Sequence, residues 1–96
     1  MEGMAFVDLV SIAMDSGELR VASAPPWSHL MRGERVTVET GTEGLYALGN
    51  VQSSLTVPTE TEELSFIAKA CGETLPLKRV MERVKYEKLD YPEGDD

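Results

Sequence analysis

The chain has 96 residues, 42% hydrophobic and 27% charged, with 17 acidic residues against 9 Lys and Arg, for a formal net charge of −8. That length fits one domain, and the composition excludes collagen-like, low-complexity and wholly disordered classes. The net charge repels phosphate backbones and anionic membrane surfaces at long range, which disfavours nucleic acid as a partner.

Ala5 to Met14 is rich in β-branched and apolar residues, and Asp15-Ser16-Gly17-Glu18 supplies turn chemistry before Leu19 to Ser23. The pattern predicts a β-hairpin in which Gly17 takes a positive φ and Leu19, Val21 and Ser23 share a face. Asp8 and Ser11 interrupt the apolar run and no basic segment precedes it, unlike a signal peptide or a membrane span. The single Cys71 can form no internal disulfide, which suits a reducing compartment. The expectation is a cytoplasmic chain with no membrane segment.

Ala24 to Gly33 contains Pro25 and Pro26, which fix φ and remove two backbone donors, so a loop is expected. Glu34 to Thr40 alternates, with Val36 and Val38 against Arg35, Thr37 and Glu39, as in a half-buried strand. Gly41 to Gly44 then turns the chain. Leu45 to Leu48 and Val51 to Val57 flank Gly49-Asn50, a dipeptide suited to a two-residue turn, so a second hairpin is expected there.

After Pro58 the period changes. Thr59 and Glu62 have capping-box spacing, Leu64, Ile67, Ala68 and Cys71 recur at helical intervals, and Gly72 is a stop signal. These predict a helix over about 60–71 with Cys71 as a small buried hydrophobe. Beyond Thr74, Leu77, Val80, Met81 and Val84 lie at i, i+3, i+4 and i+7, which favours a helix through about Lys88. A strand from Arg83 to Tyr91 is the alternative. Residues 90–96 read as a disordered acidic tail, and 1–89 as one domain.

The stretch Gly33-Glu34-Arg35-Val36-Thr37-Val38-Glu39-Thr40, with Gly44 and Gly49-Asn50-Val51, resembles the G-[DE]-x-V-x-V-E pattern of many SH3-like small barrels. The match covers about a fifth of the chain. The fold class expected is α+β: a small, mostly antiparallel, SH3-like barrel of about five strands followed by one or two C-terminal helices. The small size and acidity also resemble short prophage and mobile-element reading frames. Both resemblances imply an architecture and a style of protein, not an activity.

Chemistry is sparse. His29 is the one histidine and stands in the loop, so neither a Ser-His-Asp nor a Cys-His arrangement is signalled. No zinc or calcium spacing and no phosphate-cradling glycine motif occurs. An enzyme is not expected, nor a cofactor, and a chain this small leaves little volume for a substrate cavity.

Two segments read as contact surfaces. Pro25-Pro26-Trp27 with Leu30 and Met31 holds the only tryptophan, a residue type that anchors interfaces, although Trp27 could instead plug one end of the barrel. Residues 78–88 hold five of the nine basic residues, with Lys78, Val80, Met81, Arg83 and Val84 as candidate contacts around an apolar stripe. The expected function is a non-enzymatic protein-interaction or structural module, with self-association as one form. The alternative is an acidic decoy that imitates nucleic acid. Local nucleic-acid binding through the basic segment ranks below both.

Overall fold

The computed structural model describes residues 5–59 and 61–84, without the side chains of 61–63. Five strands, β1 (Phe6–Met14), β2 (Leu19–Ala24), β3 (Arg35–Glu39), β4 (Tyr46–Pro58) and β5 (Val80–Val84), form one antiparallel sheet in the order β2-β1-β4-β3-β5. One helix, α1 (Thr61–Cys71), interrupts the series between β4 and β5. Among the described residues no helix is long and apolar enough to cross a membrane.

β1 and β2 form the expected hairpin, with Gly17 at a φ of 106° and its amide donating to the Met14 carbonyl. β1 lies between β2 and β4 and carries a core on each of its faces, which is why its sequence is almost continuously apolar rather than alternating. One face meets the main core of Val10, Ile12, Ala22, Val36, Val38 and Val51, with Leu30 among them. The other face meets a smaller core in which Leu9 packs with Ala68 and Leu77, flanked by Val7, Val21, Val57, Leu64 and Ile67. Val10 and Ile12 are fully buried, and each such side chain contributes about 1.5–3 kcal/mol.

The two edges of the sheet approach each other without a closing ladder. A single parallel bridge joins Ser23 to Arg79, and the Ser23 amide donates to the Lys78 carbonyl at 2.8 Å. Pro25 and Pro26 follow Ser23 within two or three residues, and their missing N–H groups cannot extend that pairing along β5. The sheet therefore stays open where a barrel was expected.

Further expectations are corrected. Gly49-Asn50 is not a turn, since β4 runs straight through it from Tyr46 to Pro58. Gly49 is buried against β1, where an added Cβ would sit 2.6 Å from Ile12 Cγ2 and 2.9 Å from the Ala13 carbonyl oxygen. The glycine permits close approach of two strands rather than a reversal. Between Ser11 and Ile12 the β1–β4 register then shifts, because Ser11 opposes Ser53 while Ile12 opposes Val51.

Within the expected helix over 76–88, Val80–Val84 is the strand β5 and 76–79 are not helical. β5 pairs with β3, and the backbone groups along the open side of β3 are thereby satisfied. The residues expected at 85–88, and the tail at 90–96, lie outside the described residues. The helix α1 matches its expected span and ends at Gly72, where φ is 79° and the Glu73 amide donates to the Ala68 carbonyl. Cys71, however, is exposed. Beyond Ala68 it is the Glu73 carboxylate, not Cys71, that reaches the sheet, accepting from Arg20 and from the Val21 amide. The Thr59 hydroxyl and amide both donate to the Ala5 carbonyl, and the Glu62 side chain of the expected capping box lies outside the described residues.

Candidate functional site

The loop between β2 and β3 is built on one buried acid. Asp8 lies in β1, opposite Ala24 of β2 and Thr56 of β4, and is 1% exposed. Its carboxylate accepts the Trp27 amide at 3.1 Å, the Ser28 amide at 3.0 Å and the Thr56 hydroxyl. Burial pushes the carboxyl pKa up, but the bonds from Thr56, Ser28 and Trp27, with the nearby His29 charge, outweigh it and hold the group below its ordinary 3.8. Asp8 is therefore ionised and serves as an anchor for two backbone amides 19 and 20 residues away.

That anchor fixes an unusual backbone. Trp27 and His29 have φ of 57° and 58°, the left-handed region that costs an L-residue about 1–2 kcal/mol. The Ser28 hydroxyl donates to the Pro25 carbonyl, and its own carbonyl accepts from the Arg83 guanidinium. The outcome is a loop that turns Leu30 into the core, 7% exposed, and Trp27 out, 57% exposed. The indole packs against Phe6 at 5.1 Å between ring centres with a tilt of 56°. His29 and Met31 are also exposed.

Leu30 was expected at a partner surface and is instead the residue that plugs the core, the part that Trp27 could have taken. Leu30 enters the core and Trp27 stays out, with positive φ at Trp27 and His29 setting the path of the loop between them. The sequence holds a signal for the anchor: a lone Asp inside a buried apolar strand must find hydrogen-bond donors.

Of the second expected surface, Met81, Arg83 and Val84 are exposed, whereas Lys78 and Val80 are half-buried. Val80 is half-buried against the main core and Leu77 lies in the smaller core, so half of the apolar stripe packs within its own chain. Met81 and Val84 remain exposed. Lys78 is half-buried, its carbonyl bonded to Ser23 and its charge helping to hold Glu39 and Glu73 ionised. Arg79 forms an ion pair with Glu39 at 3.1 Å and Arg83 pairs with Glu34 at 3.1 Å. Through its bond to Ser28, Arg83 joins this segment to the Trp27 loop, so the two expected surfaces meet at that residue.

An open groove of about 550 Å³ lies between the smaller core and the segment after α1, lined by Val7, Leu64, Leu75, Pro76, Leu77 and Arg79 among others. Its lining is mostly apolar, and its polar groups are mutually engaged, with Arg79 on Glu39 and the Ser23 hydroxyl on the Lys78 carbonyl. Among the described residues no group of His, Cys, Asp and Glu could hold a metal ion. No family model, curated protein or solved structure matches the chain.

Proposed function

We propose that this chain is a protein-interaction module whose contact residue is Trp27, flanked by Met31, with the Asp8 carboxylate as the anchor that presents it. The observation that carries the reading is a large indole held outward on a left-handed backbone by a buried, ionised acid. Such strain persists only where surrounding structure over-determines it, and it concentrates at functional sites. An indole fixed in advance loses little conformational freedom on binding, which raises affinity without added contact area. The near approach of the two sheet edges at Ser23 and Arg79 agrees with a distant relation to SH3-like barrels, which commonly display loops from a small rigid sheet.

The decoy alternative draws less support. Asp15, Glu34, Glu39 and Glu73 are each paired with an arginine, so the described surface offers few free carboxylates to imitate a phosphate backbone. Nucleic-acid binding through the basic segment is weakened by the same pairs at Arg79 and Arg83. The test is affinity capture with the full chain, followed by titration of the purified binding protein against wild type and Trp27→Gly. The reading expects at least a tenfold loss, about 1.4 kcal/mol or more, and equal affinity for the two chains overturns it.

A further inference from the structure

β4 extends well beyond its neighbour β3. The two pair only over residues 46–50 of β4, and the last bonds on that side run from the Gly33 amide to the Val51 carbonyl and from the Val51 amide to the Glu34 carbonyl. On its other side β4 stays paired with β1 as far as Pro58. The Thr59 amide donates to the Ala5 carbonyl at the end of that ladder. By strand alternation Ser53, Leu55 and Val57 therefore turn their backbone groups to β1, and Ser54 and Thr56 turn theirs away from it. Among the described residues no hydrogen bond reaches those two amides and two carbonyls.

The other edges of the sheet are protected. On β2 the Val21 amide is held by the Glu73 carboxylate and the Ser23 amide by the Lys78 carbonyl, and β5 carries the charges of Glu82 and Arg83. Gln52 to Val57 holds neither charge nor proline, and an unpaired edge of that kind is a template for another strand. Gly44 to Thr59 is the longest uncharged stretch of a chain with a net charge of −8, so it is where two copies repel each other least. Leu55 in this edge is 63% exposed, although Leu9, directly across the β1–β4 ladder, is 7% exposed.

We propose that this edge is an interface with a second copy of the chain, β4 against β4, antiparallel about a two-fold axis at Leu55. Donors and acceptors at Ser54 and Thr56 are complementary to themselves in that arrangement. Ser54 of each copy stands opposite Thr56 of the other, and every outward amide meets a carbonyl. A strand from an unrelated protein would have to match this spacing, whereas a second copy matches it by symmetry. The exposed Leu55 side chains then meet across the axis, in a pair without ladder bonds whose Cα atoms lie about 4.5 Å apart. Neither the edge nor its pairing depends on Trp27.

Sedimentation velocity of the full chain at low and moderate salt reads the assembly, and circular dichroism confirms that each variant keeps the fold. Wild type is expected to dimerise at both salts. Leu55→Lys puts two like charges at the axis and Ser54→Pro removes an outward amide from each copy, so each is expected to raise the dimer dissociation constant at least tenfold. Cys71→Ser removes the exposed native thiol. In that background Leu55→Cys is expected to form an interchain disulfide on mild oxidation, because about 4.5 Å between Cα atoms suits one. Ser16→Cys, in the exposed β1–β2 turn, is the control and is expected to cross-link far more slowly. A wild type that stays monomeric up to its solubility limit overturns the proposal. So does a dimer indifferent to both substitutions, or a Leu55→Cys chain that cross-links no faster than the control. A monomer whose Ser54 and Thr56 amides are protected from exchange overturns it in favour of a segment of the same chain on this edge.

Discussion

Replacing Asp8 by alanine removes the acceptor of three donors at once, the Trp27 and Ser28 amides and the Thr56 hydroxyl. Hydrogen bonds to a charged group are worth about 1.5–3 kcal/mol each, and buried donors left without a partner cost about 1–3 kcal/mol. The loop amides can recover part of this by turning to water once the left-handed residues relax, whereas Thr56 sits within the sheet. A net loss of about 3 kcal/mol follows, which for a domain of this length lowers Tm by about 12–24 °C. Asp8→Asn keeps one acceptor oxygen but aims an NH2 group at a donor, and is expected to lose about half as much. The assay is thermal and urea unfolding followed by circular dichroism, with Trp27 emission recorded alongside. In the folded Asp8→Asn variant the indole is expected to be more readily quenched. A fall in Tm below about 4 °C for Asp8→Ala would refute the claim that this carboxylate anchors the loop.

Other outcomes follow from the same geometry. Gly49→Ala places a methyl 2.6 Å from Ile12 Cγ2 and is expected to cost about 1–3 kcal/mol in urea unfolding, whereas a glycine in an exposed turn would tolerate it better. Glu73→Gln weakens the bidentate bond to Arg20 and the cap on the Val21 amide, with an expected loss of about 1–2 kcal/mol and faster amide exchange along β2. Asp8 and Glu73 both have carboxyls held below their ordinary values of 3.8 and 4.5. Their contribution is therefore complete above about pH 5 and is lost as pH falls through the lowered folded values. Urea midpoints are expected to be level from about pH 5 upward and to decline below about pH 4, and Asp8→Asn with Glu73→Gln should flatten that decline.

How far the fold was legible depends on whether local or distant residues decide each element. The β1–β2 hairpin, β3 and α1 follow from Gly17, from the alternation around Val36 and Val38, and from the helical spacing up to Gly72. Gly49-Asn50 misleads because its local chemistry suits a turn, while the deciding contact is with Ile12, across the sheet in β1. β5 misleads because Leu77, Val80, Met81 and Val84 keep helical spacing while only Val84 and Tyr86 suit a strand, and the open side of β3 selects the strand. At the candidate site, the sequence pointed to the Trp27 loop but not to which side chain turns inward. Leu30 enters the core and Trp27 does not because Asp8, far away in the chain, holds the backbone between them.

The central claim is that Trp27 is presented for contact and contributes little to the fold. Trp27→Gly tests this most directly, because glycine adopts a φ of 57° without strain and relief there offsets the lost packing on Phe6. Urea unfolding of this variant is expected to give a stability within about 1 kcal/mol of wild type, while affinity for the captured binding protein falls at least tenfold. A variant that loses several kcal/mol of stability, or binds as tightly as wild type, would contradict the account.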